Sequence, residues 1–245
     1  MLLKQNPLIE LFKKRQILSE NDLELFHSGT RDIKEIDVLI HKQTECLILD
    51  KCLENLEKYY SQNENYSKGE RYTLIENEFV KTPPLEDNLI RYDIYKEFLI
   101  NSSVLDFGCG KGGFLELLQK NNISKDLTGL ELNQVNNRNI RSIGIPCLYD
   151  LNDCDSTFDY IFLNHVFEHL ENPIRVLEDL LSRLNTNGKI IIEIPHGNDF
   201  LIKKSEIDVF KDFTFWSEHL CLYNEKFIDK FFKIIGINDY HVSYR

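Results

Sequence analysis

The feature that most narrows what this chain can fold into is a change of hydrophobic period at a cluster of glycines. Val104-Leu105-Asp106-Phe107 is a short apolar run of the kind that forms a buried strand, and it stops at Gly108, Gly110, Gly112 and Gly113. Phe114, Leu117 and Leu118 follow at helical spacing. The same alternation continues downstream. Strands are predicted over Leu127–Leu130, Ile145–Tyr149, Phe158–Leu163, Lys189–Ile194 and about Asp239–Tyr244, and a helix over Asn133–Ser142. Asn172-Pro173 supplies an N-cap and a first-turn proline for a helix whose apolar face carries Ile174, Leu177, Leu181 and Leu184. Asn224 caps a last helix bearing Phe227, Ile228, Phe231 and Phe232. Strands alternating with helices imply an α/β fold: an open, mostly parallel twisted sheet with helices on both faces. Such sheets bind ligands beyond the carboxyl ends of their strands, where strand order reverses.

The pattern changes at Lys81-Thr82-Pro83-Pro84. Residues 1–85 are therefore expected to form an N-terminal accessory region, and residues 86–245 the sheet domain. Within the accessory region Ile36, Val38 and Ile40, then Cys46 to Leu49, read as a hairpin across Lys42-Gln43-Thr44-Glu45. The competing reading is one long helix from Ile33 to Tyr60. Lys51 to Tyr60 is expected to be helical, and the Tyr-, Asn- and Ser-rich stretch from Tyr59 to Tyr72 a loop or lid.

A formal net charge of -11 opposes general nucleic-acid binding, which relies on cations neutralising phosphates. Lys203-Lys204 is the nearest basic patch and reads as a solvated turn. No apolar stretch approaches the roughly 18 residues that would signal a membrane span, and the N-terminus lacks the pattern of a secretion signal. The six cysteines include no C-x-x-C pair, and no cluster has metal-ligand spacing, so no metal is expected. A reduced, cytoplasmic protein with a small-molecule substrate follows from this balance. The oligomeric state is left open.

The glycine turn alone is ambiguous. Gly108, Gly110 and Gly113 satisfy the G-x-G-x-x-G dinucleotide pattern, and Glu131 lies where a ribose-binding acid belongs. Charge separates the possibilities. A dinucleotide lays an anionic pyrophosphate over this turn, where Asp106 would repel it. S-adenosylmethionine brings a sulfonium and an ammonium, and a carboxylate becomes an asset.

From Val104 to Gly236 the chain resembles the class I S-adenosylmethionine-dependent methyltransferases, nearest their small-molecule, sugar and quinone branch. The matching stretches are VLDFGCGKGGFL (104–115), LTGLELN (127–133), FDYIFLNHVFEHLENP (158–173) and LLSRLNTNGKIIIEIP (180–195). The resemblance implies a Rossmann-like domain and S-adenosylmethionine as cofactor. It implies that Asp106 and the backbone of Gly108, Cys109, Gly110 and Gly112 hold the methionine portion. It further implies Glu131 on the ribose, Leu132 on the adenine face, and Asp150 with Leu151 at the adenine amino group. Asn164 and His165 would border the methyl group, and Tyr72, Arg91 and Tyr92 would lie in the cover over the cofactor.

Methyl transfer from sulfonium requires alignment above all, and a base when the acceptor is a hydroxyl. Histidine suits that task near neutral pH. His165, His169, His196 and His219 are the candidates, His219 first and His169 second, and Asn164 is placed with the catalytic residues; His27, His41 and His241 read as surface residues. Phe200, Phe210, Phe213, Phe215 and Trp216 wall an acceptor pocket or pack on the N-terminal segment. Enzymes resembling this chain end the sheet with one more, reversed strand, so either a last hairpin is missing or the chain is a domain of a longer polypeptide. The leading function is O-methylation of a sugar, nucleotide-linked or surface-polysaccharide precursor. The alternatives are N- or C-methylation, a nicotinamide oxidoreductase, and a non-catalytic cofactor-binding subunit.

Overall fold

A computed structural model describes residues 2–62, 72–75, 78–81, 85–203 and 208–244. They form two compact units that interleave along the chain: Met1–Glu54 with His165–Leu177 and Ile194–Arg245, and Asn55–Asn164 with Glu178–Glu193. The contacts therefore do not divide at residue 85, where the two prolines suggest a boundary.

In the first unit, β1 (Leu3–Gln5) pairs antiparallel with β5 (Lys51–Leu53). A four-stranded antiparallel sheet runs in the order β13-β4-β3-β2, with β2 at Leu23–His27, β3 at Val38–His41, β4 at Leu47–Leu49 and β13 at Cys221–Leu222. The hairpin is thus present, with Leu39 opposite Ile48 and Ile40 opposite Leu47. Its apolar side packs into a core of Ile36, Val38, Leu47, Leu49, Ile202, Phe215 and Leu222. Asn6 fastens the start of the chain to this sheet. Its Oδ1 accepts the Leu8 N–H and caps the helix Pro7–Lys14, while its Nδ2 donates to the Leu49 and Leu220 carbonyls at 2.8 and 3.0 Å.

In the second unit, β6 (Tyr72–Ile75) and β7 (Glu78–Lys81) form an antiparallel pair. The main sheet has five parallel strands in the order β10-β9-β8-β11-β12: β8 at Ser103–Phe107, β9 at Asp126–Leu130, β10 at Cys147–Leu148, β11 at Phe158–Asn164 and β12 at Leu184–Glu193. The chain steps outward from β8 to β10, then returns to lay β11 on the other side of β8. The strand order reverses between β8 and β11, at Asp106 and Asn164. Helices Glu86–Tyr95, Gly113–Lys120 and Gln134–Ser142 flank the sheet. Leu99, Val104, Phe114, Leu118 and Phe162 form one core cluster; Leu115, Ile140, Ile145 and Cys147 form another.

Close packing under the glycine loop reserves Gly129 on β9 for glycine. A Cβ there would lie 2.7 Å from Cys109 Sγ and 3.2 Å from Cys147 Sγ and Leu115 Cδ1. Gly129→Ala should therefore cost about 1–3 kcal/mol, read as a lower denaturant midpoint with an unchanged m-value.

Several expectations need correction. The predicted helix Lys51–Tyr60 begins with β5, and its helical part is Leu56–Gln62. Lys51–Leu53 is instead drawn into a strand by its pairing with Leu3–Gln5. Leu184 is no part of the preceding helix, which ends at Leu181, but opens β12. The strand near Ile145–Tyr149 is confined to Cys147–Leu148. Residues 239–244 form no strand. The tail is tied back to the helix Glu225–Ile235, where Tyr240 Oη donates to Asp229 at 2.6 Å and Tyr244 Oη to Glu225 at 2.7 Å. His41 is fully buried and pairs with Thr44 Oγ1 at 2.7 Å, and His27 meets Asp212 at 3.0 Å, so neither is a plain surface residue. Lys203 sits on the helix Phe200–Lys203 and donates to the Glu45 carbonyl rather than occupying a solvated turn. Phe215 packs against Phe26 in the first unit's core, and Arg31 lies over the rings of Phe213 and Trp216, so these aromatics pack on the N-terminal segment. The interior of the expected lid, residues 63–71, lies outside the described residues.

Candidate functional site

Asp106 stands near the carboxyl end of β8 with only 3% of its surface exposed. Burial pushes its carboxyl up to about 7, against the opposing pull of the Arg91 guanidinium and the Asn164 amide. Asn164, the last residue of β11, donates Nδ2–H to Asp106 Oδ1 at 3.1 Å. The other end of that amide, Oδ1, is buried and has no hydrogen-bond partner. A buried acceptor left unpaired costs about 1–3 kcal/mol, so this atom calls for a donor.

Arg91 forms a largely buried ion pair. From the helix Glu86–Tyr95 its guanidinium reaches Glu193 at the end of β12, with Nε to Oε2 at 3.1 Å and Nη2 to Oε1 at 2.5 Å. Nη1 also donates to Asn88 Oδ1 at 3.1 Å. Both members of the pair are largely buried. Glu193 drew no notice in the sequence, where it is one acid at the end of an apolar strand.

The glycine turn works through its shape. Gly108, Gly110 and Gly112 have φ values of 72°, 55° and 68°, in the left-handed region where a side chain is disfavoured. The N–H groups of Gly108 and Cys109 both donate to the Leu130 carbonyl, at 2.9 and 3.0 Å, and that of Gly112 to the Cys109 carbonyl at 2.8 Å. These three donors are therefore committed within the protein, which corrects the expectation that they face a ligand. At Gly110 a Cβ would meet nothing within 4 Å, while its N–H bonds to the Glu131 carboxylate.

Glu131 follows β9. Its Oε1 accepts the Asn133 N–H at 2.7 Å, and burial raises its carboxyl above the ordinary range against that bond and others from Gly110 and Leu132. Leu132 is half-buried. Asp150 is exposed and caps the short turn Leu151–Asp153 by accepting the Asn152 N–H at 2.8 Å. Tyr72 begins β6; its side chain lies outside the described residues.

A profile of the methyltransferase domain family matches residues 51–242. The chain belongs to this family. It is a class I methyltransferase, and S-adenosylmethionine is its cofactor. Among curated proteins, an uncharacterized protein of Methanocaldococcus jannaschii is 28% identical over 178 residues, covering 69% of this chain and 74% of that one. Among solved structures, coclaurine N-methyltransferase bound to N-methylheliamine and SAH is 18% identical with a TM-score of 0.47; the match covers 73% of this chain and 60% of that one. The plantazolicin methyltransferase BpumL, complexed with a triazolic desmethylPZN analogue and SAH, is 18% identical with a TM-score of 0.49, over 74% and 73% of the two chains.

The residues of this methyltransferase fit its cofactor. A buried carboxylate with a raised pKa and an orphaned amide oxygen beside it together ask for a cationic, donor-rich group. The ammonium of the methionine end is such a group.

The histidines expected to do chemistry belong to the first unit. His165 follows Asn164 directly with φ 54°, a left-handed conformation that is uncommon for a non-glycine residue and often marks a functional turn. The turn Phe167–His169 carries Glu168 inward to full burial. His169 and His219 lie edge to face with ring centroids 4.9 Å apart. Burial, reinforced by His169, lowers His219 to about 4, and burial also lowers His169, so both imidazoles are neutral at pH 7. His196 instead packs against Tyr244, 5.1 Å between centroids. His241 is exposed.

Proposed function

We propose that this methyltransferase transfers a methyl group to a hydroxyl of a small, polar molecule, with a sugar, nucleotide-linked or surface-polysaccharide precursor as the acceptor class. The observation that carries the hydroxyl assignment is the pair of adjacent imidazoles, His169 and His219, 4.9 Å between ring centroids. A hydroxyl must lose its proton around the time of attack, and a neutral imidazole is the side chain suited to manage that proton. A thiolate acceptor has no need of such a pair.

Bound at the turn, S-adenosylmethionine supplies an electrophilic methyl group. Asp106 and the glycine turn would hold its methionine end, Glu131 its ribose and Leu132 the adenine face, with Asn164 and His165 bordering the methyl. Proton management falls to the histidine pair, His219 before His169. The six cysteines are free thiols, and among the described residues no helix is long and apolar enough to cross a membrane.

His219→Ala should bind the cofactor within about twofold of wild type and lose roughly 10²–10⁴ in kcat on a hydroxyl acceptor. Calorimetry and a methyl-transfer assay against metabolite pools check the two halves. Wild-type kcat in the variant would remove His219 from the reaction.

A further inference from the structure

The Glu168 carboxylate is fully buried, and neither of its oxygens has a hydrogen-bond partner. Burial of an uncompensated carboxylate is among the costliest arrangements a fold can hold. Nitrogen atoms, however, surround it. Oε1 lies 3.8 Å from His169 Nε2 and 3.4 Å from Nδ1 of His165, whose side chain is 44% exposed. His219 completes the group: one ligand atom each from Glu168, His169 and His219 lie within 4.8 Å of one another. These separations are too long for hydrogen bonds and suit side chains gathered around something between them.

A second observation fixes which nitrogen His169 offers. Its Nδ1 lies 2.9 Å from the Glu218 carbonyl oxygen. A carbonyl only accepts, so Nδ1 donates to it and Nε2 is the nitrogen on the side of Glu168. Histidines that bind metals are oriented in this way by a backbone carbonyl or carboxylate behind the ring. Glu168 and His169 are adjacent in sequence while His219 is fifty residues away, which is why no ligand spacing is visible along the chain.

We propose that Glu168, His169 and His219 form a binding site for one divalent first-row cation. Two imidazoles and one carboxylate suit Zn²⁺, Fe²⁺, Co²⁺ or Mn²⁺ better than Mg²⁺ or Ca²⁺, and three protein ligands leave positions for an exchangeable oxygen ligand. The cation would place positive charge beside the buried Glu168 carboxyl. Its use in catalysis rests on the O-methyltransferase reading. Where the cation is bound, His169 and His219 serve as its ligands and the hydroxyl it holds gives up its proton to water; the pair's role as base is that of the metal-free protein. The site itself rests only on these side chains.

The test uses the full chain, stripped by a chelator and titrated with Co²⁺ and then Zn²⁺ alone, without cofactor or acceptor. Expected is one equivalent of Co²⁺ bound, with visible d–d absorption that Zn²⁺ displaces. Affinity should fall at least thirtyfold in His219→Ala and in Glu168→Gln. Near-UV circular dichroism verifies each fold; should Glu168→Gln not fold, His169→Gln takes its place. Absence of saturable one-to-one binding, or equal affinity in folded His219→Ala, overturns the proposal. Because no methyl transfer is measured, an acceptor other than a hydroxyl would leave this result untouched.

Discussion

Replacing Asp106 with Asn should weaken binding of S-adenosylmethionine by roughly 30- to 150-fold at pH 8, the effect of losing about 2–3 kcal/mol of charge-assisted bonding. It should also abolish a pH dependence that the wild-type protein displays. The free carboxyl titrates at about 7, and a cationic ligand favours its ionised form. Below pH 7, binding must therefore expel a proton, and apparent affinity falls towards tenfold per pH unit; above 7 it is flat. Wild-type Kd should be about tenfold weaker at pH 6 than at pH 8, and that of Asp106→Asn unchanged between them. The same raised pKa governs stability in the opposite direction. Between about pH 4 and pH 7 the folded, ligand-free protein keeps a proton that the unfolded chain has released. Its stability therefore declines as pH rises through that window. Calorimetry at four pH values checks the binding claim, and a pH-independent wild-type Kd would contradict the placement of the cation beside Asp106.

Replacing Arg91 with Met should destabilise the protein by about 3–5 kcal/mol, the usual consequence of removing one member of a buried, hydrogen-bonded ion pair. Glu193 loses a two-pronged partner, Asn88 Oδ1 loses its donor, and Asp106 loses its nearest stabilising charge. Arg91→Lys should recover little of this, since an ammonium cannot span both Glu193 oxygens. The double variant Arg91→Met/Glu193→Met should be far closer to wild type than Arg91→Met alone, because no lone charge remains at that position. Urea midpoints of the four proteins test the claim. Equal midpoints for Arg91→Met and wild type would show that Glu193 finds other compensation.

The parts of this molecule that were legible in its sequence are those specified by neighbours along the chain. The strand-to-helix switch at Gly108–Gly113 declares itself through φ values that glycine tolerates and through an abrupt change of period. Asn133 and Asn224 cap helices with their own side chains, a local bond readable from residue type and position. What escaped depends on partners distant in sequence. Lys51-Cys52-Leu53 becomes a strand only because Leu3–Gln5 lies alongside it. Tyr240, Val242 and Tyr244 alternate as a strand would, yet their tyrosines hydrogen-bond to acids on the preceding helix. Arg91 and Glu193 stand a hundred residues apart and form one ion pair. Glu168 was visible only as the residue beside His169; nothing local announces that its carboxylate is fully enclosed.

β13 pairs with β4, so a strand close to the end of the chain completes a sheet begun near its start. During synthesis the backbone edge of Leu47–Leu49 must wait for Cys221 and Leu222 to leave the ribosome. Until then an apolar, unpaired edge of the nascent polypeptide is available to stray partners. Emergence of Cys221 and Leu222, rather than of the amino-terminal half, is thus the event that closes this sheet, and a translation product stalled before them would display the edge permanently.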